Sequence, residues 1–168
     1  MNVFIDTIPV DGLPQKIFVD KKRVILVIPG ANANSILLHD EARHLRCELS
    51  DMIVDIVWCC TVAGGVMVMG SAYGNHVYFI DISTLKIKQV LQFLREEDRS
   101  TSMFAILVTP DEKHVAIISE LTFAITKWSG DIILDFRINM LSDRFLSLTN
   151  HSISFENQST EKTFTYSF

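Results

Sequence analysis

Cysteine is scarce in this chain. Three residues are present, Cys47, Cys59 and Cys60, the last two adjacent. An odd count with a neighbouring pair makes no disulfide framework, so a reducing, cytoplasmic compartment is expected. The five histidines, His39, His44, His76, His114 and His151, stand apart, and Cys59-Cys60 lacks the gap of a metal-binding knuckle. No metal or cofactor is expected. Basic charge is short as well. Fifteen Lys and Arg against twenty Asp and Glu leave a net charge of −5, and phosphate backbones demand concentrated cations, so no nucleic-acid partner is expected. The opening MNVFIDTIPVDG has no basic region, and Asp6 interrupts its apolar run, which is not the pattern of a secretory signal. Catalytic signatures are missing too: no GxSxG elbow, no GxGxxG turn, and no lysine where Gly65 and Gly70 would suggest a phosphate loop. The Glu96-Glu97-Asp98 run beside Arg95 and Arg99 reads as a solvated loop. The chain is not expected to be an enzyme.

One long uncharged stretch must be explained. Residues 56–75 carry no charge and are long enough to span a bilayer. Gly64-Gly65 divides them into two Val-rich runs of strand length, and no positive flank orients them. A buried hairpin turning at Ala63-Gly64-Gly65 accounts for the same residues, and no membrane partner is expected.

Apolar residues make up 48% of the 168 and charged residues 21%, the balance of one globular domain over residues 1–168. Short apolar runs separated by turn residues recur as one paragraph. Val54–Val62, Val66–Ser71, Val77–Ile82 and Ile87–Phe93 form the best unit. Met103–Thr109, His114–Ser119, Leu121–Trp128 and Ile132–Ile138 form the next. Upstream lie Lys16–Val19, Val24–Ile28, Ile36–His39 and His44–Glu48; downstream lie Phe145–Thr149, Ser152–Glu156 and Thr163–Phe168. Equivalent runs begin at Val24, Val66, Val115 and Ile153, a period of roughly 40–50 residues, as in four-stranded propeller blades. The expected fold is an all-β propeller of about four four-stranded blades. Val3–Ile8 would supply the missing strand of the last one and close the ring. The alternative is an α+β fold with helices near 42–56 and 84–97, where Leu45, Leu49, Met52, Ile53 and Ile56, and Ile87, Val90, Leu91 and Leu94, fit helical faces.

Val54 to Asp81, with its Gly70-Ser71-Ala72-Tyr73-Gly74-Asn75 break and YFID strand, resembles a WD repeat, and Pro110-Asp111-Glu112-Lys113 stands at that family's first turn. The family's Gly-His pair is absent, and its Trp-Asp pair is replaced by His39-Asp40, Ile80-Asp81 and Trp128-Ser129. The resemblance, strongest over residues 54–138, implies architecture and no particular activity.

In such a blade, the loop between strands two and three and the loop to the next blade share one rim. That rim collects Glu48, Asp51, Glu96, Glu97, Asp98, Glu120, Glu156 and Glu161 against Arg95, Arg99 and Lys162. The other rim is mixed, with Lys21, Lys22, Arg23, Arg43, Lys86, Lys113 and Lys127 beside Asp40, Glu41, Asp111, Glu112 and Asp131. An acidic rim attracts a basic protein. The candidate partner-binding residues are therefore Glu48, Asp51, Glu96, Glu97, Asp98 and Glu120, with Tyr73 as an aromatic contact in a break. Trp58 and Trp128, inside apolar runs, are expected to pack between blades with their indole N–H groups on carbonyls. The leading function is a non-catalytic binding module, in one form an immunity protein neutralising a nuclease toxin. The alternatives are a subunit or fragment of a larger propeller and a hydrolase with a central-channel site.

Overall fold

In the computed structural model, residues 15–18, 23–32, 35–50, 57–63, 65–71, 76–92, 103–140 and 142–168 are described. They form fifteen strands in four antiparallel sheets, each strand pairing with its neighbour in sequence. Sheet 1 holds β1 (Gln15–Phe18), β2 (Val24–Pro29), β3 (Ser35–Asp40) and β4 (Leu45–Ser50). Sheet 2 holds β5 (Val57–Ala63), β6 (Val66–Ser71), β7 (His76–Asp81) and β8 (Lys86–Gln92). Sheet 3 holds β9 (Met103–Val108), β10 (His114–Ser119), β11 (Thr122–Lys127) and β12 (Ile132–Arg137). Sheet 4 holds β13 (Asp143–Leu148), β14 (Ser152–Asn157) and β15 (Lys162–Ser167).

The all-β reading with repeating units is what the sheets display, and the helical alternative is overturned at the described residues. β4 and β8 occupy the stretches that fitted helical faces. In β4 the apolar spacing that suggested a helix is the period-two alternation of an outer strand, with Leu45, Cys47 and Leu49 turned to the core, whereas in β8 only Leu91 is buried and Ile87 and Val90 are exposed. No described helix is long and apolar enough to cross a membrane. Within the uncharged stretch, the described residues pair as β5 and β6, with Ala63 opposite Val66 and Gly65 in the left-handed region at φ +78°. Val3–Ile8 lies outside the described residues.

Alternation also decides which sheets touch. Met67 and Met69 of β6, with Tyr78 and Ile80 of β7, pack on Ile25, Val27, Ile36, Leu38 and Leu49 of sheet 1. The intervening residues Val66, Val68, Val77 and Phe79 pack on Ile106, Val115 and Ile117 of sheet 3. Ala116, Ile118, Phe123 and Ile125 turn the other way, onto Ile153 and Phe155 of sheet 4. The middle strands β6, β7, β10 and β11 are thus buried on both faces, and each fully buried Phe or Ile adds about 1.5–3 kcal/mol of hydrophobic stabilisation. Trp128 packs into the layer between sheets 2 and 3 with its indole N–H donating to the Glu112 carbonyl at 2.8 Å, as expected of it.

Among the described residues, the face of sheet 4 turned away from sheet 3 carries polar pairs. Arg144 bridges Glu156 at 2.6 Å, and the Ser154 and Thr165 hydroxyls lie 2.9 Å apart.

Candidate rim site

Because the strands alternate in direction, the β2–β3, β10–β11 and β14–β15 turns and the sheet-to-sheet links lie at one end of the stack. Hydrogen bonds join these segments to one another. The Ile138 N–H donates to Leu121 O and the Met140 N–H to Glu120 O, both at 2.8 Å, which lays the β12–β13 link along the β10–β11 turn. The Gln158 N–H donates to Ser142 O at 2.7 Å and brings the β14–β15 turn onto the same link. Asp143 holds that link in place, accepting the Asn139 N–H at 3.0 Å and the Asn157 amide at 2.8 Å.

The structure distributes the expected acidic residues unevenly. Glu48 and Glu120 are both on this rim, but their carboxylates do different things. Glu48 Oε1 accepts the Ala31 N–H at 3.0 Å and the Ser35 hydroxyl at 2.8 Å, so it organises the β2–β3 loop. Gly30 is required there, because an added Cβ would run into the Ser35 hydroxyl and sit 2.9 Å from that carboxylate. Glu156 is neutralised by Arg144, a rim cation that counting loop residues alone overlooks. Glu120, half-buried, and Glu161, exposed, make no ion pair among the described residues. Asp51, Tyr73, Glu96, Glu97 and Asp98 lie outside the described residues.

The opposite rim departs from the sequence reading. Asp40 and Arg23 were expected in a mixed, solvated rim, yet both are buried. Arg23 Nε donates to Asp40 Oδ2 at 2.6 Å, and its Nη2 donates to the Ile82 carbonyl of sheet 2. Burial pushes the Asp40 carboxyl up, but the Arg23 hydrogen bond and charge, with the Arg43 N–H, more than offset it and leave the group below the usual carboxylate range. Asp81 is held far below that range, chiefly by the Ser83 hydroxyl at 2.5 Å and, against some burial, by the Thr84 N–H and Lys88. Asp111 is lowered by the Thr109 hydroxyl and Lys113, while its own N–H donates to Asn150 Oδ1 of sheet 4 at 2.9 Å. These carboxylates are committed to turns and sheet contacts.

No described group of three His, Cys, Asp or Glu is arranged to hold a metal ion. Cys47 is a free, half-buried thiol whose pKa is raised by burial, which keeps it protonated.

No protein-family model and no curated protein matches this chain. Its fold is similar to that of solved β-propeller proteins. Hsv2 of Kluyveromyces marxianus superposes with a TM-score of 0.52 at 8% identity, over 95% of this chain and 60% of its own. Hsv2 of Kluyveromyces lactis gives 0.50 at 8%, over 97% and 68%. Sqt1 of Saccharomyces cerevisiae gives 0.50 at 14%, over 98% and 47%. The chain spans from about half to two thirds of the length of these propellers. Identities so low establish the fold alone.

Proposed function

We propose that the chain is a non-catalytic protein-binding module, with the rim that carries Glu120 and Glu161 docking a basic protein. The observation behind this reading is the division of labour between the rims. The carboxylates Asp40, Asp81 and Asp111 are engaged within the fold at one rim, whereas Glu120 and Glu161 at the other make no ion pair among the described residues. Asp51, Glu96, Glu97 and Asp98, outside the described residues, are proposed from the sequence to add to the same rim. Fixed backbone hydrogen bonds along this rim hold the described loops in place before any encounter, which lowers the cost of ordering on binding.

One specific form is an immunity protein that covers the basic active site of a nuclease toxin in the cytoplasm. Affinity capture from the native source at two salt concentrations tests the module. A basic protein retained at low salt and released at raised salt is expected, and a partner indifferent to salt and to rim charge overturns the reading. Inhibition of a captured nuclease would identify the immunity form.

A further inference from the structure

We propose that Cys59 and Cys60 form a two-thiol site for a soft, thiophilic cation of the copper(I) class, assembled by a β-bulge in β5. β5 pairs with β6 as Trp58 opposite Gly70 and Thr61 opposite Val68, with a register shift between the two pairs. Two residues of β5, Cys59 and Cys60, therefore stand against one residue of β6, Met69. This is the two-against-one count of a bulge, a device that re-aims side chains and recurs beside functional sites.

The consequence follows from the pleat. Adjacent residues of a regular strand belong to opposite faces of the sheet. Gly70 and Val68 are two apart and share a face, so the register places Trp58 and Thr61 at positions of that same face. The two cysteines then share the single position that Met69 marks on the other face. That is the face on which Met67 and Met69 pack against sheet 1. A regular strand would divide the pair, and the bulge unites it.

The chemistry of the pair selects the ion. A structural zinc takes four ligands and an iron–sulfur cluster four cysteines, which two adjacent thiols do not supply. Thiolate and thioether sulfur also select copper(I), which accepts as few as two sulfur ligands. The residue across the ladder from both cysteines is itself a methionine, the thioether among the soft donors. Binding involves no redox step. Each thiol gives its proton to solvent, two Cu–S bonds form, and the ion stays copper(I). Cys47 on β4 has no adjacent thiol and serves as the control.

Anaerobic titration of the full chain with copper(I), in competition with bathocuproine disulfonate, tests the site. Wild type and Cys47→Ser should bind one equivalent and release two protons. Cys59→Ser and Cys60→Ser should each bind at least about 100-fold more weakly, since losing even an outer-shell partner costs about 10–100-fold. Copper(I) should raise the melting temperature of wild type and Cys47→Ser and leave the other two unchanged, because only a site built in the folded chain stabilises it. Copper K-edge absorption of the wild type should show two sulfur neighbours, which decides the ligand set even where a serine variant fails to fold. A wild type that binds no copper(I), serine variants at positions 59 and 60 that bind as tightly as the parent, or nitrogen or oxygen ligands at the ion would each overturn the proposal. Binding without any rise in melting temperature would mean that sequence adjacency alone holds the ion, and that too overturns it.

Discussion

Arg23 and Asp40 form a buried ion pair at 2.6 Å where β2 begins and β3 ends, and the same guanidinium crosses to the Ile82 carbonyl of the next sheet. The pair ties two strands within sheet 1 and ties sheet 1 to sheet 2. Removing one partner leaves a buried charge without compensation, so Asp40→Ala or Arg23→Met should each destabilise by about 3–5 kcal/mol. Urea unfolding measures this. A loss under about 1 kcal/mol would mean that water reaches the remaining charge and the clamp contributes little.

Acid should expose the same dependence. Asp40, Asp81 and Asp111 all have folded-state pKa values below their ordinary ones. A depressed carboxyl contributes stability that is fully present above the unfolded pKa of about 3.9 and is lost as pH falls through the folded value. The melting temperature should therefore hold steady from pH 7 to about pH 5 and fall below about pH 4. Asp40→Asn should flatten that acid limb. A wild-type melting temperature unchanged down to about pH 3 would count against the depressed values.

Two glycines separate backbone strain from crowding. Gly65 has φ +78° and nothing within 4 Å of an added Cβ, so Gly65→Ala should cost about 1 kcal/mol from conformation alone. Gly130 has φ +90°, is buried, and its added Cβ would run into the Gln89 side chain of β8. Gly130→Ala should cost more than Gly65→Ala, and thermal denaturation of the two variants gives the order. Equal losses would show that Gln89 simply moves aside.

Much of the fold was legible because strand alternation and turn spacing are local properties. The runs at Val66, Val77, His114 and Ile132 are strands within a residue or two, and the Ala63-Gly64-Gly65 break lies at the β5–β6 hairpin. The Asp of the altered Trp-Asp pairs also has a physical role. Asp40, Asp81 and, in sheet 4, Asn157 each open a four-residue turn and accept the N–H of the third residue onward: Arg43 at 3.2 Å, Thr84 at 3.0 Å and Thr160 at 3.1 Å. His44, Leu85 and Glu161 close these turns with positive φ. That Asp/Asn-x-x-x-x signal is visible in the sequence once the turn geometry is known. The Arg23–Asp40 pair was not legible, because turn acids look solvated until tertiary packing buries them. The commitment of Glu48 to Ala31 and Ser35 was hidden for the same reason: it depends on a neighbouring loop seventeen residues away.

Rim charge should affect association, while the contacts Glu48 makes should affect the fold. If Glu96, Glu97, Asp98 and Glu120 steer a basic partner, reversing all four to Lys should mainly lower the association rate, with a smaller change in dissociation. The wild-type rate should fall as salt rises, since screening acts beyond a Debye length of about 8 Å at physiological ionic strength. Stability should shift by less than about 0.5 kcal/mol if these charges stand in solvent. Glu48→Ala should behave in the opposite way. It removes the acceptor of the Ala31 N–H and the Ser35 hydroxyl, so it should cost about 1 kcal/mol of stability while leaving the association rate near that of wild type. Stopped-flow mixing with the captured partner at two salt concentrations, beside urea unfolding of both variants, separates the two effects. An association rate that ignores both salt and the fourfold reversal would remove the rim from the binding reaction, and a slow-associating Glu48→Ala would place that carboxylate in the interface after all.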